Sequence, residues 1–247
     1  MKIGIIQASS QKEKNAVMEA CVREAVPQEY EVINFGVFGG MDAEISYVQA
    51  AVCISLLLES RSVDFIVTGC SSGQGMMLAC NSLPGVLCGY VEHVTDAFLF
   101  GRINDGNAVS YPLGMGWGWS GEINFRETMR ALFKGPMGSG YPPRDAERKR
   151  RDARQLKDIN GLCKRPLEDV LPLLDEENLR AVLGYEPVCR YVRNHGADER
   201  LLGVLDALST NLKQMPKTIL HLGPARTHSR TPARADTPRH RISTDQP

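Results

Sequence analysis

At 247 residues the chain is long enough for one domain with a sizeable core plus an appendage. Its 29 basic and 29 acidic residues cancel to a formal net charge of +0, so no global field argues for a nucleic acid or a membrane surface as partner. Seven cysteines, with no Cys-x-x-Cys pair, read as reduced thiols of a cytoplasmic protein, not as a disulfide framework or a zinc site.

Residues 2–7 form a short apolar run suited to a buried parallel strand, and no run approaches the length of a membrane helix. Ser9 or Ser10 caps a helix predicted over 11–25, which Pro27 stops. A second strand is predicted over 30–35, ending at Gly36. A Gly-rich turn follows, then a largely buried helix from about 43 to 60. The third strand, 63–68, breaks into Gly69-Cys70-Ser71-Ser72-Gly73-Gln74-Gly75, and a short helix runs from there to Asn81. Strands over 85–91 and 108–111 and helices over 93–103 and 122–133 complete the pattern. Strands alternating with helices at this spacing predict an α/β fold: a Rossmann-like three-layer sandwich on a five-stranded parallel sheet, spanning residues 1–134.

The texture changes after Lys134. Residues 135–143 are a Gly/Pro arm, 144–151 a strongly charged helical stretch, and 167–183 and 188–212 amphipathic helices. Residues 135–216 thus read as an arm and C-terminal helical extension, packed on the sheet domain or on a partner subunit. From 217 to 247 the composition turns to Arg, Pro, Thr and His without apolar periodicity, which predicts a disordered tail.

Chemistry concentrates at Cys70. A strand, a small-residue loop and a helix start place backbone N–H groups and a helix's positive end around one point. A thiol there is biased toward thiolate. A free cysteine otherwise behaves as a small buried hydrophobe. A cysteine-phosphatase loop needs arginine six residues on, where Met76 stands, so that reading falls away.

The same stretch resembles the ribose-5-phosphate isomerase type B family, which also contains galactose-6-phosphate isomerase subunits. The family reads Cys-Gly-Thr-Gly-x-Gly, Ala-Ala-Asn, Pro-Gly and His-Asn-Asp-x-Asn. Here the register gives Cys70-Ser71-Ser72-Gly73-Gln74-Gly75, Ala79-Cys80-Asn81, Pro84-Gly85 and Ile103-Asn104-Asp105-Gly106-Asn107 without a gap. The match covers about residues 1–150 and looks nearest a longer branch that includes isomerases of deoxy-hexulose uronates.

The resemblance implies aldose–ketose isomerisation without metal or other cofactor, with Cys70 as the base that moves a proton between C1 and C2 of an open-chain sugar. Ser72 falls on the family's threonine. The backbone N–H groups from Ser71 through Gly73 to Gly75 become the enediolate donors, and Tyr47 falls on a tyrosine near the substrate. Asn104 reaches ligand across the dimer interface. Arg144 and Arg148, at i and i+4, match the pair that binds substrate phosphate. A small anionic sugar, a homodimer or tetramer with shared sites, and a place in the pentose phosphate pathway follow from the same likeness.

Three departures bear on the substrate. The family's early Asp-His pair is Ala8-Ser9, its ring-opening histidine is Ile103, and an arginine near the fifth strand is Gly114. His93 offers a substitute acid or a structural role; Trp117 and Trp119 offer a sugar platform or loop packing. The expected function is isomerisation of a small sugar phosphate, ribose 5-phosphate or galactose 6-phosphate in type. The alternatives are a non-phosphorylated deoxy-hexulose uronate, or sugar binding without catalysis.

Overall fold

A computed structural model describes residues 1–214; the expected tail over 217–247 lies outside them. Five strands, β1 (Lys2–Ile6), β2 (Glu31–Gly36), β3 (Phe65–Cys70), β4 (Cys88–Tyr90) and β5 (Ala108–Pro112), form one all-parallel sheet. Their order is β2-β1-β3-β5-β4. The central strands β3 and β5 are buried along their whole length, which is why their sequences are nearly continuous apolar runs, interrupted by the buried hydroxyls of Thr68 and Ser110. The chain leaves β1 for β2 on one side and returns to β3 on the other. That switch opens a crevice at the carboxyl ends of β1 and β3.

Helices α1 (Asn15–Ala25), α4 (Val94–Leu99) and α5 (Gly121–Leu132) cover one face, over a core that includes Ile5, Met18, Val67, Phe125 and Met129. Helices α2 (Tyr47–Glu59) and α3 (Gln74–Asn81) cover the other. The extension comprises α6 (Ala146–Cys163), α7 (Leu167–Val170), α8 (Glu176–Gly184), α9 (Glu186–His195) and α10 (Glu199–Gln214). Helices α7 to α10 lay Leu167, Val182, Tyr185, Val188 and Leu205 into the same core as α2. Helix α2 is therefore covered on both sides, and eight consecutive residues, Ala50 to Leu57, are buried. One face of an amphipathic helix would not need that.

Local chemistry redraws several expected elements. Residues 9–14 form a 3-10 turn, kinked at Gln11 (φ −121°, ψ 19°), and α1 starts only at Asn15. Ser9 caps no helix: its Oγ accepts from the N–H of Ile45 at 2.6 Å. The helix predicted over 93–103 ends at Leu99 and continues as a π-helical turn, Phe100–Asn104. The arm docks on that turn, with the N–H groups of Gly138 and Gly140 donating to the carbonyls of Gly101 and Arg102. Pro172 divides the stretch over 167–183 into α7, a 3-10 turn and α8. The stretch over 188–212 breaks where Gly196 closes α9 and Asp198 Oδ1 accepts from Leu201 N–H at 2.9 Å.

Glu59, the last residue of α2, is half-buried against Gly85, where a Cβ would meet its Oε1 at 2.0 Å. Burial raises its carboxyl pKa above the usual range, and Glu168 and Asp198 add like charge against the pull of Arg61 and Lys164. A raised folded-state pKa means stability that is present below the unfolded pKa and lost as pH rises through the folded one. Glu59→Gln is therefore expected to raise the melting midpoint at neutral pH. The gain should vanish below about pH 4, where the carboxyl is protonated in both states. Melting curves across pH check this; a gain independent of pH would contradict it.

Candidate active site

Cys70 is the last residue of β3 and opens into the crevice with its side chain nearly buried, at 8% exposure. Its carbonyl accepts from the N–H groups of both Gly73 (3.3 Å) and Leu113 (2.9 Å), so two neighbouring loops pin the backbone that carries the thiol. Gly73 turns the chain into α3 with φ +72°, and a Cβ there would lie 2.8 Å from the Tyr90 ring and 3.0 Å from Pro112 N. Only glycine serves that turn. Because the Gly73 N–H is spent on Cys70, the donor set narrows to the N–H groups of Ser71, Ser72, Gln74 and Gly75. These meet no protein acceptor among the described residues. Ser71 and Ser72 lead into α3 and Gln74 and Gly75 begin it, where the helix's positive end lies.

The opposite wall comes from α2. Ser46 Oγ accepts from Gln49 N–H while Gln49 Oε1 accepts from Ser46 N–H, a reciprocal cap that sets Tyr47 as the first helical residue. The Ser9 and Ile45 backbones and the Ser9 hydroxyl tie this cap to the end of β1. Tyr47 is 44% exposed, not a core residue, and its ring faces Gly75, where a Cβ would come within 3.4 Å. A cavity of about 470 Å³ results, lined by Ala8, Ser10, Tyr47, Cys70, Ser71 and Ser72 among others.

The structure thus gathers Tyr47, Cys70, Ser71, Ser72 and Gly75 around one cavity, with Gly73 beneath. It does not bring Asn104, Arg144 or Arg148 there. Asn104 ends the π-helical turn ahead of β5, at the amino end of the sheet. Ile66 pairs with Ala108 and Cys70 with Pro112. The two ends of β5 are therefore about 13 Å apart along the strand at 3.3 Å per residue. Arg144 lies in a 3-10 turn before α6 starts, so α6 alone does not form the shared helical face expected from i, i+4 spacing. It is 87% exposed beside Asp145, and Arg148 pairs with Asp152 at 3.1 Å.

Gly114 explains one departure from the family pattern. Its N–H donates to Ser71 O at 2.8 Å, and a Cβ would sit 2.8 Å from that oxygen, so no arginine fits here without moving the loop. His93 is exposed and lines a separate cavity at the ends of β4 and β5, with Glu92, Tyr111 and Asn124. Burial and the Glu92 bond push the Tyr90 phenol up to about 12, so it stays neutral packing under the loop. Trp117 packs on Phe125 and Trp119 is 91% exposed; neither lines the Cys70 cavity. Among the described residues no cluster of three His, Cys, Asp or Glu side chains is arranged to hold a metal ion. Ser46 and Gln11 carry no site role in the sequence pattern above. The spacing Ser46-x-x-Gln49 is a capping-box signature, whereas nothing local marks Gln11.

The family model described as ribose/galactose isomerase matches residues 4–132. No curated protein matches. A solved 4-deoxy-L-threo-5-hexosulose-uronate ketol-isomerase, complexed with a tartrate, is 35% identical, with TM-score 0.79, over 84% of this chain and 99% of that one. A ribose-5-phosphate isomerase from Vibrio parahaemolyticus is 32% identical with the same TM-score and coverage. A type B ribose 5-phosphate isomerase from Trypanosoma cruzi, 21% identical over 65% of this chain and 98% of its own at TM-score 0.54, shares the fold. With the family model covering more than half the chain and a parallel sheet that ends in the Cys70 loop, the chain belongs to the ribose/galactose isomerase family, and it is an aldose–ketose isomerase.

Proposed function

We propose that the protein isomerises an open-chain acidic sugar of the deoxy-hexulose uronate kind, with Cys70 as the base. One observation carries the substrate class. Among the described residues, neither histidine nor carboxylate lines the Cys70 cavity, and Ile103 stands where the family's ring-opening histidine falls. A substrate already open needs no such acid. The 35% identical uronate isomerase, complexed with the hydroxy-dicarboxylate tartrate, favours the same class. The 32% identical ribose-5-phosphate isomerase keeps the sugar-phosphate reading as the competitor.

In the proposed reaction Cys70 thiolate removes the proton on the carbon beside the carbonyl. The electron pair moves onto the carbonyl oxygen, giving an enediolate held by the N–H groups of Ser71, Ser72, Gln74 and Gly75 and by the Ser72 hydroxyl. The thiol then returns the proton to the former carbonyl carbon, while the proton of the neighbouring hydroxyl passes to the former carbonyl oxygen, so that the neighbour becomes the new carbonyl. One carbon is oxidised as its neighbour is reduced, so no external redox partner enters. Because Asn104, Arg144 and Arg148 lie away from the cavity, we infer a homodimer or tetramer in which a second copy supplies them to the anionic end of the substrate. A thiol base also fits a reducing cytoplasm.

The test is proton exchange in deuterated buffer, followed by NMR at C1 and C2 with a deoxy-hexulose uronate, ribose 5-phosphate and galactose 6-phosphate. Exchange in the uronate alone is the expected result. Exchange in ribose 5-phosphate alone would overturn the substrate assignment.

A further inference from the structure

Behind the cavity wall, three side chains form a directed relay. Lys14 Nζ donates to Gln11 Oε1 at 2.8 Å, and Gln11 Nε2 donates to Ser71 Oγ at 2.7 Å. Gln11 is 6% exposed and sits at the kink of the 3-10 turn, aimed across 60 residues of sequence at the Cys70 loop. An ammonium has donors only, so it fixes which end of the Gln11 amide faces it. The amide nitrogen must then face Ser71, whose oxygen can only accept from it. The Ser71 proton is therefore free to point elsewhere. The Ser71 carbonyl is already held by Gly114 N–H, and no other protein acceptor meets the hydroxyl among the described residues, whereas Ser71 lines the Cys70 cavity.

We propose that Ser71 is a catalytic residue whose hydroxyl donates to the developing enediolate oxygen, and that Gln11 and Lys14 are positioning residues that fix its proton toward the substrate. This rests on the isomerase reading above. It is also specific to this chain's motif, because the family pattern has glycine, without a hydroxyl, where Ser71 stands.

The deciding substitution is Gln11→Glu. The introduced carboxylate keeps the shape and the Lys14 contact, but it accepts from Ser71 and so turns the hydroxyl away from the substrate. With the uronate, kcat should fall by about a hundredfold, the usual effect of losing one oxyanion donor, with KM little changed. Ser71→Ala should lose a similar factor, and the double variant should lose no more than either alone. Wild-type kcat in either single variant, or losses that multiply in the double variant, would overturn the relay.

Two additions keep the test decisive. Lys14→Met, at a half-buried surface site, removes the ordering charge without touching the cavity wall; it should lower kcat with an unchanged melting midpoint. An aldonohydroxamate, a planar anion resembling the enediolate, gives a binding readout without turnover. Its dissociation constant should weaken equally in Gln11→Glu and Ser71→Ala, and no change, or no binding to wild type, would overturn the proposal. Absence of turnover by wild type with the hydroxamate still bound would sink the uronate assignment alone, and the affinity ratios would still decide the relay.

Discussion

Cys70→Ala is expected to abolish C1/C2 proton exchange, with kcat lowered by about a hundredfold to ten-thousandfold, the contribution of a positioned general base. Binding of the open-chain sugar should survive, because the N–H donors of Ser71, Ser72, Gln74 and Gly75 belong to the backbone. The fold should survive as well. The bonds that pin this turn run from the Cys70 carbonyl to Gly73 and Leu113, and alanine keeps both. Losing one nearly buried sulfur costs about 1 kcal/mol, of the order of one buried methylene. Exchange rates by NMR and calorimetric binding on the same preparation separate these effects. Exchange retained within a factor of ten would remove Cys70 from the base role. Lost binding with a collapsed melting midpoint would instead mean that the thiol is core packing.

Why this much was readable, and no more, depends on the range of the signal. The turn from β3 into α3 is local: a buried apolar run, then glycines and serines, then a helix start, all within 19 residues from Val63 to Asn81. The sheet follows from the same alternation, since parallel strands need crossovers. What escaped is contact across long separations. Gln11 reaches Ser71 over 60 residues and Tyr185 reaches Phe35 over 150, and neither leaves a trace in any window of periodicity. Only the family register puts Tyr47 near the substrate, since the apolar pattern of α2 by itself marks no residue for the cavity. The reciprocal Ser46–Gln49 cap supplies the physical reason: it places Tyr47 at the helix's first turn, out over the cavity. The spacing of Arg144 and Arg148 predicts one helix face because the charged run reads as helix from Arg144 on, whereas Pro143–Asp145 is a 3-10 turn and α6 starts at Ala146.

Tyr185 carries the largest expected loss of stability. It lies between α8 and α9, is 2% exposed, and donates its hydroxyl to the Phe35 carbonyl at 2.6 Å. Burial pushes its phenol pKa up, so the donor proton is retained at any working pH. Tyr185→Ala removes a large buried ring, about 3–5 kcal/mol on the scale of Phe→Ala substitutions, and leaves the Phe35 carbonyl without its partner, about 1–3 kcal/mol more. Against a typical total of about 5–15 kcal/mol, the variant should be close to unfolding. Tyr185→Phe keeps the ring and should lose only the hydrogen-bond part. The site feels the loss indirectly: Phe35 leads into Gly36 and Val37, whose carbonyls accept from the backbone N–H and the Nε2 of Gln7, and Gln7 precedes the cavity wall at Ala8. Folded Tyr185→Phe should therefore keep kcat nearly intact. Denaturant titration distinguishes a shared core from a loosely docked extension. Because α7 to α10 enter the core of α2, both variants should unfold in a single transition with the wild-type slope and a lower midpoint. Two transitions, or a Tyr185→Ala midpoint close to wild type, would mean that the extension folds apart from the sheet.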